Sequence, residues 1–379
     1  MRDTSVYVHF PWCARKCPYC DFVTRKMAPA DVPHQAYADA LLRELELRRP
    51  ALRERRLVSV FVGGGTPSLW AGSALAQVLR AIRDAFDHTV SDLEVTAEAN
   101  PNSLTRAQVD AFLQAGINRV SIGVQSLRDG QLRFLGRLHN RNEALRAIAD
   151  ATERFDRTSA DLMFGMPHQN EGSVREDVRD LLSTGVEHVS AYALTIEAGT
   201  QFGELHRLGK LATSSEDSYA AMFRGVEDEM QKAGLEHYEI SSYARPGARA
   251  RHNEHYWRAG DYLGLGTAAV GCLSDAPGHA ERYKNEIRDE RYLESGGESE
   301  REVLDGPTLL QEGLMLGLRT SDGVDVEALS QRAGLDWQTS RRGSVERLLA
   351  RGALTLEDGR LRIPRNQWLL LDGIITNLF

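Results

Sequence analysis

Along the first 240 residues the hydrophobic positions switch repeatedly between a period of two and a period near 3.6. Short apolar or β-branched runs at Val6–Val8, Leu57–Val62, Leu93–Ala97, Arg119–Gly123, Ala160–Met163 and His188–Ala193 read as strands, with Glu236–Ser241 as a last one. Between them Tyr37, Leu41, Leu42 and Leu45 recur at helical spacing. The stretches Ala74–Phe86, Ala107–Ala115, Glu143–Glu153 and Val174–Ser183 read as further helices, and Gly203–Ala212 and Ala244–Ala250 as loops. Strand–helix repetition predicts a parallel sheet, hence an α/β fold. Six units without a clear eighth predict a partial (β/α)6 barrel over residues 1–240 rather than a closed one.

Beyond residue 306 the pattern changes to helix, helix, helix, hairpin. The helices are expected at Leu309–Leu318, Val326–Ala333 and Ser344–Ala350, and the hairpin at Leu354–Ile363, turning on Asp358-Gly359. Such an order predicts a small winged-helix-like domain at 306–379, with 241–305 as a connecting segment. Winged helices elsewhere bind DNA, and Arg341, Arg342, Arg347 and Arg351 supply some positive charge. They have no aromatic or Gly-rich partner, and the chain carries a net charge of −8, so they read as a solvated helix face.

Composition alters this picture little. A hydrophobic content of 42% supports a substantial core, and 26% charged residues is ordinary. The acidic balance argues against a nucleic-acid partner. No apolar run approaches the ~18 residues of a membrane span, and Val6–Phe10 is too short for a signal segment. A cytoplasmic protein is expected, with peripheral membrane association left open. Four cysteines in 379 residues are too few for a disulfide framework.

Three of those cysteines decide the chemistry. Cys13, Cys17 and Cys20 follow C-x3-C-x2-C spacing inside His9-Phe-Pro-Trp-Cys-Ala-Arg-Lys-Cys-Pro-Tyr-Cys. Three thiolates can hold three corners of a [4Fe–4S] cluster and leave one iron open. A structural zinc would want four ligands, and only His9 is near enough in sequence to complete a set, since Cys272 lies far along the chain. The spacing, with Tyr19 before the third thiol, resembles the radical S-adenosylmethionine (SAM) superfamily. The resemblance implies that SAM occupies the open iron through its amino and carboxylate groups. An electron from the cluster then cleaves its sulfonium to a radical, which needs a site closed to water.

Polar and glycine residues at the expected strand ends extend the likeness. Gly63-Gly64-Gly65-Thr66-Pro67 follows a strand and lacks the Gly-Lys-Ser/Thr ending of a phosphate loop. Glu98, Gln125, Arg137 and Asp161 follow in Glu-Ala-Asn-Pro-Asn, Gly-Val-Gln-Ser, Leu-Gly-Arg-Leu-His-Asn and Ala-Asp-Leu-Met-Phe-Gly. Each alone is an ordinary polar residue. Their order resembles the coproporphyrinogen-oxidase-like branch of the superfamily across the whole chain. By that resemblance Tyr7 meets the SAM carboxylate and Tyr19 packs near its adenine. Gly64, Gly65, Thr66, Glu98, Gln125, Arg137 and Asp161 then line the rest of the cofactor.

Arg251-His252-Asn253-Glu254-His255-Tyr256-Trp257 contains H-N-x-x-Y-W, formed by His252, Asn253, Tyr256 and Trp257. It resembles the haem-binding signature of the haem chaperones in this branch. His252 is the first candidate for an axial ligand and His255 the second. Gly264-Leu-Gly266-Thr-Ala-Ala269 matches G-x-G-x-x-A but lacks a β-branched strand before it, so it reads as a loop over the barrel mouth rather than a dinucleotide site. Two functions follow from the resemblance. One is a haem chaperone that binds haem and hands it to acceptor haemoproteins, respiratory ones among them, while keeping the cluster and SAM. The other is an oxygen-independent coproporphyrinogen III dehydrogenase. The oxidases carry a fourth cysteine two residues after the third, where this chain has Phe22, so the chaperone is the expected function.

Overall fold

The computed structural model describes residues 1–379, the side chains of 338 and 339 excepted. Six strands run parallel in chain order: β1 (Arg2–Phe10), β2 (Arg55–Gly64), β3 (His88–Ala99), β4 (Arg119–Gln125), β5 (Arg157–Phe164) and β6 (His188–Ala193). Each pairs with the next, and β6 does not return to β1, so the barrel is open as the strand count predicts. At one edge a hairpin, β7 (Glu236–Glu239) and β8 (Ser242–Ala244), is added antiparallel to β6. On the far side of β1 lies β9 (Asp261–Leu265), parallel to it. An antiparallel meander of β10 (Val270–Ala276), β11 (His279–Asn285) and β12 (Glu298–Asp305) follows.

The segment 241–305, read from the sequence as a connection, therefore contributes strands β8 to β12 to one twelve-stranded sheet. Its outer strands escape a pattern search because they are charged; β11 reads His-Ala-Glu-Arg-Tyr-Lys-Asn, and β12 reads Glu-Ser-Glu-Arg-Glu-Val-Leu-Asp and buries only Leu304. Main-chain ladder bonds hold it there. The glycines of Gly264–Ala269 do not cover the barrel mouth as expected. Gly264 lies within β9, and Gly266 begins a turn whose N–H bonds to buried Glu44 Oε2 at 3.0 Å. Gly203–Ala212, expected as a loop, begins as helix Gln201–Arg207, capped by Thr200. Gly203 is present because a Cβ there would lie 2.2 Å from the Glu197 carbonyl oxygen, not because the chain turns. A long helix, Glu216–Lys232, had no counterpart in the pattern reading.

Parallel strands buried on both faces usually read as unbroken apolar runs. Here they alternate. Val6, Val8 and Phe10, Val60 and Val62, Val95 and Ala97, and Val120, Ile122 and Val124 face outward into one core beneath the helices. The intervening positions are Ser5, Tyr7 and His9, Ser59 and Phe61, Glu94, Thr96 and Glu98, and Ser121 and Asp161. That polar face turns inward, so the barrel interior is a chamber rather than stacked apolar layers.

The C-terminal domain has its own core, with Leu310, Leu314, Leu329, Leu348, Leu361 and Trp368 buried together. Helices Gly306–Gly317, Val326–Ala333 and Trp337–Ala350 stand beside a three-stranded sheet of Val324–Asp325, Arg360–Arg362 and Thr355–Glu357. The hairpin turns on Asp358 (φ 51°) and Gly359 (φ 71°), both left-handed as a tight type I′ turn requires. Cys272 and Ala280 of the meander belong to this second core, which fixes the domain against the back of the sheet.

Candidate cluster and cofactor site

The cysteine loop leaves β1 at Pro11 and folds over the carboxyl ends of the strands. Trp12–Cys13 pairs with Arg25–Lys26, and the Cys20 N–H donates to the Cys17 carbonyl at 3.2 Å. All three thiols are free and half-buried, and all three open on one cavity of about 330 Å³. Burial pushes the Cys13 and Cys20 thiols above their ordinary value. No three His, Cys, Asp or Glu side chains among the described residues converge on a single-ion site. His9 is not available for zinc, because its Nδ1 meets the Tyr7 hydroxyl and its Nε2 the Val23 carbonyl, both at 3.0 Å. Cys272 is buried in β10, in the C-terminal core, away from the other thiols.

The glycine loop closes against the cysteine loop. Gly65 N–H donates to the Phe10 carbonyl at 2.6 Å, and Thr66 N–H to the Trp12 carbonyl at 2.9 Å. Gly64 has φ +103°, and a Cβ there would lie 2.5 Å from the His9 ring. At Gly65 a Cβ would lie 2.5 Å from the Trp12 carbonyl oxygen. These glycines therefore let two loops of the protein meet, beyond any contact with a ligand. Gly64→Val should abolish SAM binding and also weaken the cluster loop, measured as loss of the SAM-induced change in the cluster's electron paramagnetic resonance (EPR) spectrum. An unchanged response in that variant would detach the loop from the cofactor.

Four of the expected polar residues line the same cavity. Glu98 accepts the Gly64 N–H at 3.0 Å, and its pKa is pushed up to about 8, first by burial and then by Asp161. Asp161 accepts from Ser121 Oγ at 3.1 Å and is raised to about 6, mainly by burial. Two buried acids facing one cavity leave it short of positive charge. Gln125 ends β4 with φ 65°, a left-handed backbone that a non-glycine residue holds only when its surroundings enforce it. Arg137 donates to the Gly123 carbonyl at 2.7 Å and to the Asn100 side chain, and its Nη1 lies 3.6 Å from Cys17 Sγ. Tyr19 is on the wall as expected. Tyr7 and Thr66 stand behind it: Tyr7 bonds His9 and stacks on Phe61 at 6.2 Å, and Thr66 Oγ1 accepts from Asn100 at 2.9 Å.

Asn100 and Tyr192 are among the wall residues missed from the sequence. Asn100 lies two positions after Glu98 and joins Thr66 to Arg137, so the strand-end logic that found Glu98 could have found it too. Tyr192, at the end of β6, is 43% exposed to the cavity, and no motif marks it.

The H-N-x-x-Y-W residues lie on a short helix, Arg251–Trp257. It docks at the other end of the barrel. Arg251 bonds the Asp92 carbonyl, the His252 N–H bonds Glu94 Oε1 at 3.2 Å, and His252 Nδ1 lies 3.0 Å from Ser59 Oγ. Ser59 precedes Gly64 by five residues of strand, about 16 Å. The His252 ring sits 5.1 Å from Phe61, and burial foremost holds its pKa down to about 3. Asn253 and Trp257 are half-buried, and Tyr256 is exposed, its ring 5.6 Å from Tyr262. Motif and cysteines are thus not neighbours.

Comparison with known proteins settles the family. The Radical SAM superfamily model matches residues 7–181, and the HemN C-terminal domain model matches 304–370. The heme chaperone HemW of Mycobacterium tuberculosis is 34% identical over 99% of this chain and 94% of its own. The HemW of Haemophilus influenzae is 37% identical over 76% of this chain and 75% of its own. This chain belongs to the HemW/HemN-like family. Bovine radical S-adenosyl methionine domain-containing protein 1 is a further relative, 36% identical over 99% of this chain and 87% of that protein. The structure of coproporphyrinogen III oxidase (HemN) from Escherichia coli, a radical SAM enzyme, superposes with a TM-score of 0.82. It covers 100% of this chain and 90% of that one at 20% identity, which establishes the shared fold. A HemW/HemN-like radical SAM protein works with a [4Fe–4S] cluster and SAM, and the cavity described here fits both. Its three free thiols open on one cavity with no fourth protein ligand beside them, which suits a cluster that leaves one iron open. Its facing acids Glu98 and Asp161 suit a cationic ligand with donor groups. No helix among the described residues is long and apolar enough to cross a membrane.

Proposed function

We propose that this protein is a haem chaperone, binding haem and delivering it to acceptor haemoproteins. The observation that carries the reading is the contrast among relatives. Proteins named heme chaperone HemW are 33–37% identical to this chain, whereas the coproporphyrinogen oxidase that shares its fold is 20% identical. Phe22, 56% exposed at the cavity's rim, stands where the oxidases carry a further cysteine and supports the same reading.

In this proposal Cys13, Cys17 and Cys20 hold the cluster, with the fourth iron left for SAM. Bound together, that pair supplies one-electron chemistry at the SAM sulfonium. Glu98 and Asp161 face the cation and its hydroxyl and amino donors, and Arg137 sets its charge beside the Cys17 sulfur. Tyr7 braces the wall through His9. The H-N-x-x-Y-W helix serves haem, at the far end of the barrel. The cytoplasm is the expected compartment.

The test pairs two measurements on the reconstituted protein under anaerobic, reducing conditions. Hemin titration should give saturable binding with a Soret band, and coproporphyrinogen III with SAM should not be converted to its divinyl product. Turnover of coproporphyrinogen III would replace the chaperone with the oxygen-independent dehydrogenase.

A further inference from the structure

The three cysteines share one cavity, but their surroundings differ. Among the described residues, only Cys17 has a cation at hydrogen-bonding distance, with Arg137 Nη1 3.6 Å from its sulfur. Lys16 lies in the same loop but is turned away. Its Nζ donates to the carbonyls of Phe22 and Thr24, at 3.0 and 3.4 Å.

Arg137 is a costly group to hold there. It makes no ion pair among the described residues, and its Nε is buried without a hydrogen-bond partner. Its Nη2 is taken by two neutral acceptors, the Gly123 carbonyl at 2.7 Å and Asn100 Oδ1. A guanidinium removed from water with no carboxylate beside it is unfavourable unless other negative charge is brought to it. Thiolates that carry an iron–sulfur cluster bring that charge. The backbone is shaped to deliver the contact. A Cβ at Gly123 would lie 3.2 Å from Arg137 Nη2, so glycine leaves the guanidinium its space. Gly136 has φ +69°, and a Cβ there would lie 2.7 Å from Pro18 Cδ. The residue before Arg137 therefore lets its loop press on the cysteine loop between Cys17 and Cys20.

Asn100 ties two corners of the site together. Its main-chain N–H donates to Ser68 Oγ at 3.2 Å, which fixes where the side chain starts. Its Oδ1 accepts from Arg137, and its Nδ2 donates to Thr66 Oγ1 at 2.9 Å. Because that oxygen already accepts, the Thr66 hydroxyl keeps its own proton for Cys13, which it faces. One amide thus holds a cation beside Cys17 and a hydroxyl beside Cys13. Hydrogen bonds to the sulfurs and nearby positive charge both favour the reduced, more negative state of a cluster.

We propose that Arg137 and Thr66 raise the reduction potential of the cluster through Cys17 and Cys13, with Asn100 as the positioning residue for both. The proposal rests on the assignment of the cluster to the three cysteines and is independent of the haem reading. It gives Arg137 a task at the cluster itself, apart from any contact with SAM. The experiment is a redox titration of the reconstituted full-length protein without SAM, followed by the EPR signal of the reduced cluster. SAM affinity is measured separately, from the change SAM makes in that signal. Arg137→Gln should lower the ratio of reduced to oxidised cluster at a fixed potential about tenfold, equal to about 59 mV. Arg137→Lys, which keeps the charge and loses the fork, should recover part of the shift. Asn100→Ala should move the ratio the same way by about threefold to tenfold, with iron content unchanged. An unchanged SAM-free potential in Arg137→Gln overturns the proposal, and a fall in SAM affinity alone assigns Arg137 to SAM. Should Arg137→Gln take up no iron, Asn100→Ala decides, and an unshifted potential there overturns the proposal. If the unmodified chain takes up no iron, the cluster assignment and this proposal fall together, while the haem reading is decided by its own titration.

Discussion

Cys17→Ser should strip the protein of its iron–sulfur cluster, and Cys272→Ser should leave the cluster intact. Anaerobic reconstitution of the unmodified chain is expected to give about four irons per chain, the stoichiometry of a cubane. Serine at Cys13, Cys17 or Cys20 removes one of three thiolate corners, and no other thiol lies at the cavity to replace it. Cys17 is the most telling of the three, because Arg137 Nη1 stands 3.6 Å from its sulfur. That guanidinium would be left buried beside an uncharged hydroxyl, so the local structure should loosen as well. Cys272 is 5% exposed and packs in the C-terminal core, so its loss should change stability slightly and iron content not at all. Iron analysis and the EPR spectrum of the reduced protein decide the matter. A cluster lost with Cys272→Ser would mean that the ligand set has been misassigned.

The second large effect concerns Glu98 and pH. Burial, with Asp161 nearby, raises its pKa to about 8 against an ordinary 4.5. The folded protein therefore keeps a proton that the unfolded chain has released throughout the window from pH 4.5 to 8. The contribution of Glu98 to stability thus falls as pH rises through that window, by up to about 1.4 kcal/mol per pH unit, and levels off above it. Buried neutral histidines such as His139 and His252 act in the opposite sense below pH 6.5. Asp161, raised to about 6, steepens the fall in the lower half. Glu98→Gln keeps the shape and the acceptor for the Gly64 N–H but removes the titration. It should flatten the profile and raise the melting temperature by a few degrees at pH 8. Thermal melts of both proteins from pH 5 to pH 8, without cluster or SAM, are the measurement. A difference in melting temperature between Glu98→Gln and the unmodified protein that stays constant from pH 5 to pH 8 would contradict the raised pKa.

The barrel was legible because its outward faces obey a simple rule. Val6, Val8 and Phe10 of β1 and their equivalents in the next strands must be apolar to meet the helices, and they leave a periodic trace. The Asp358-Gly359 turn was legible for a similar reason, since few residues take two left-handed positions in a row. Strands β9 to β12 were not. They extend a sheet that already exists, their register is set by main-chain bonding to β1 and to one another, and toward the edge, in β11 and β12, charged side chains are tolerated. Helix Gln201–Arg207 was hidden by Gly203, a residue whose role there is close packing.

The site divides along the same line. Local spacing decided that Cys13, Cys17 and Cys20 act together, because a loop that short keeps its thiols within reach of one cluster whatever the rest of the chain does. Position at strand ends pointed to Glu98 and Gln125, because parallel strands bring their carboxyl ends to one rim. Asp161 instead lies three residues inside β5 and reaches the cavity from the inward face. Only the tertiary structure could place Tyr192, which reaches the cavity through the pairing of β5 with β6. Only it could separate the two histidines of Arg251–Trp257. Three residues apart on one short helix, both are candidates in the sequence, His252 ahead of His255. Packing sends His252 against Ser59 and Phe61 inside the barrel and leaves His255 held by the Asp261 carbonyl at a trough outside it. Residue type sets what an imidazole can bind, but which nitrogen is free depends on a backbone oxygen that the fold delivers from another strand.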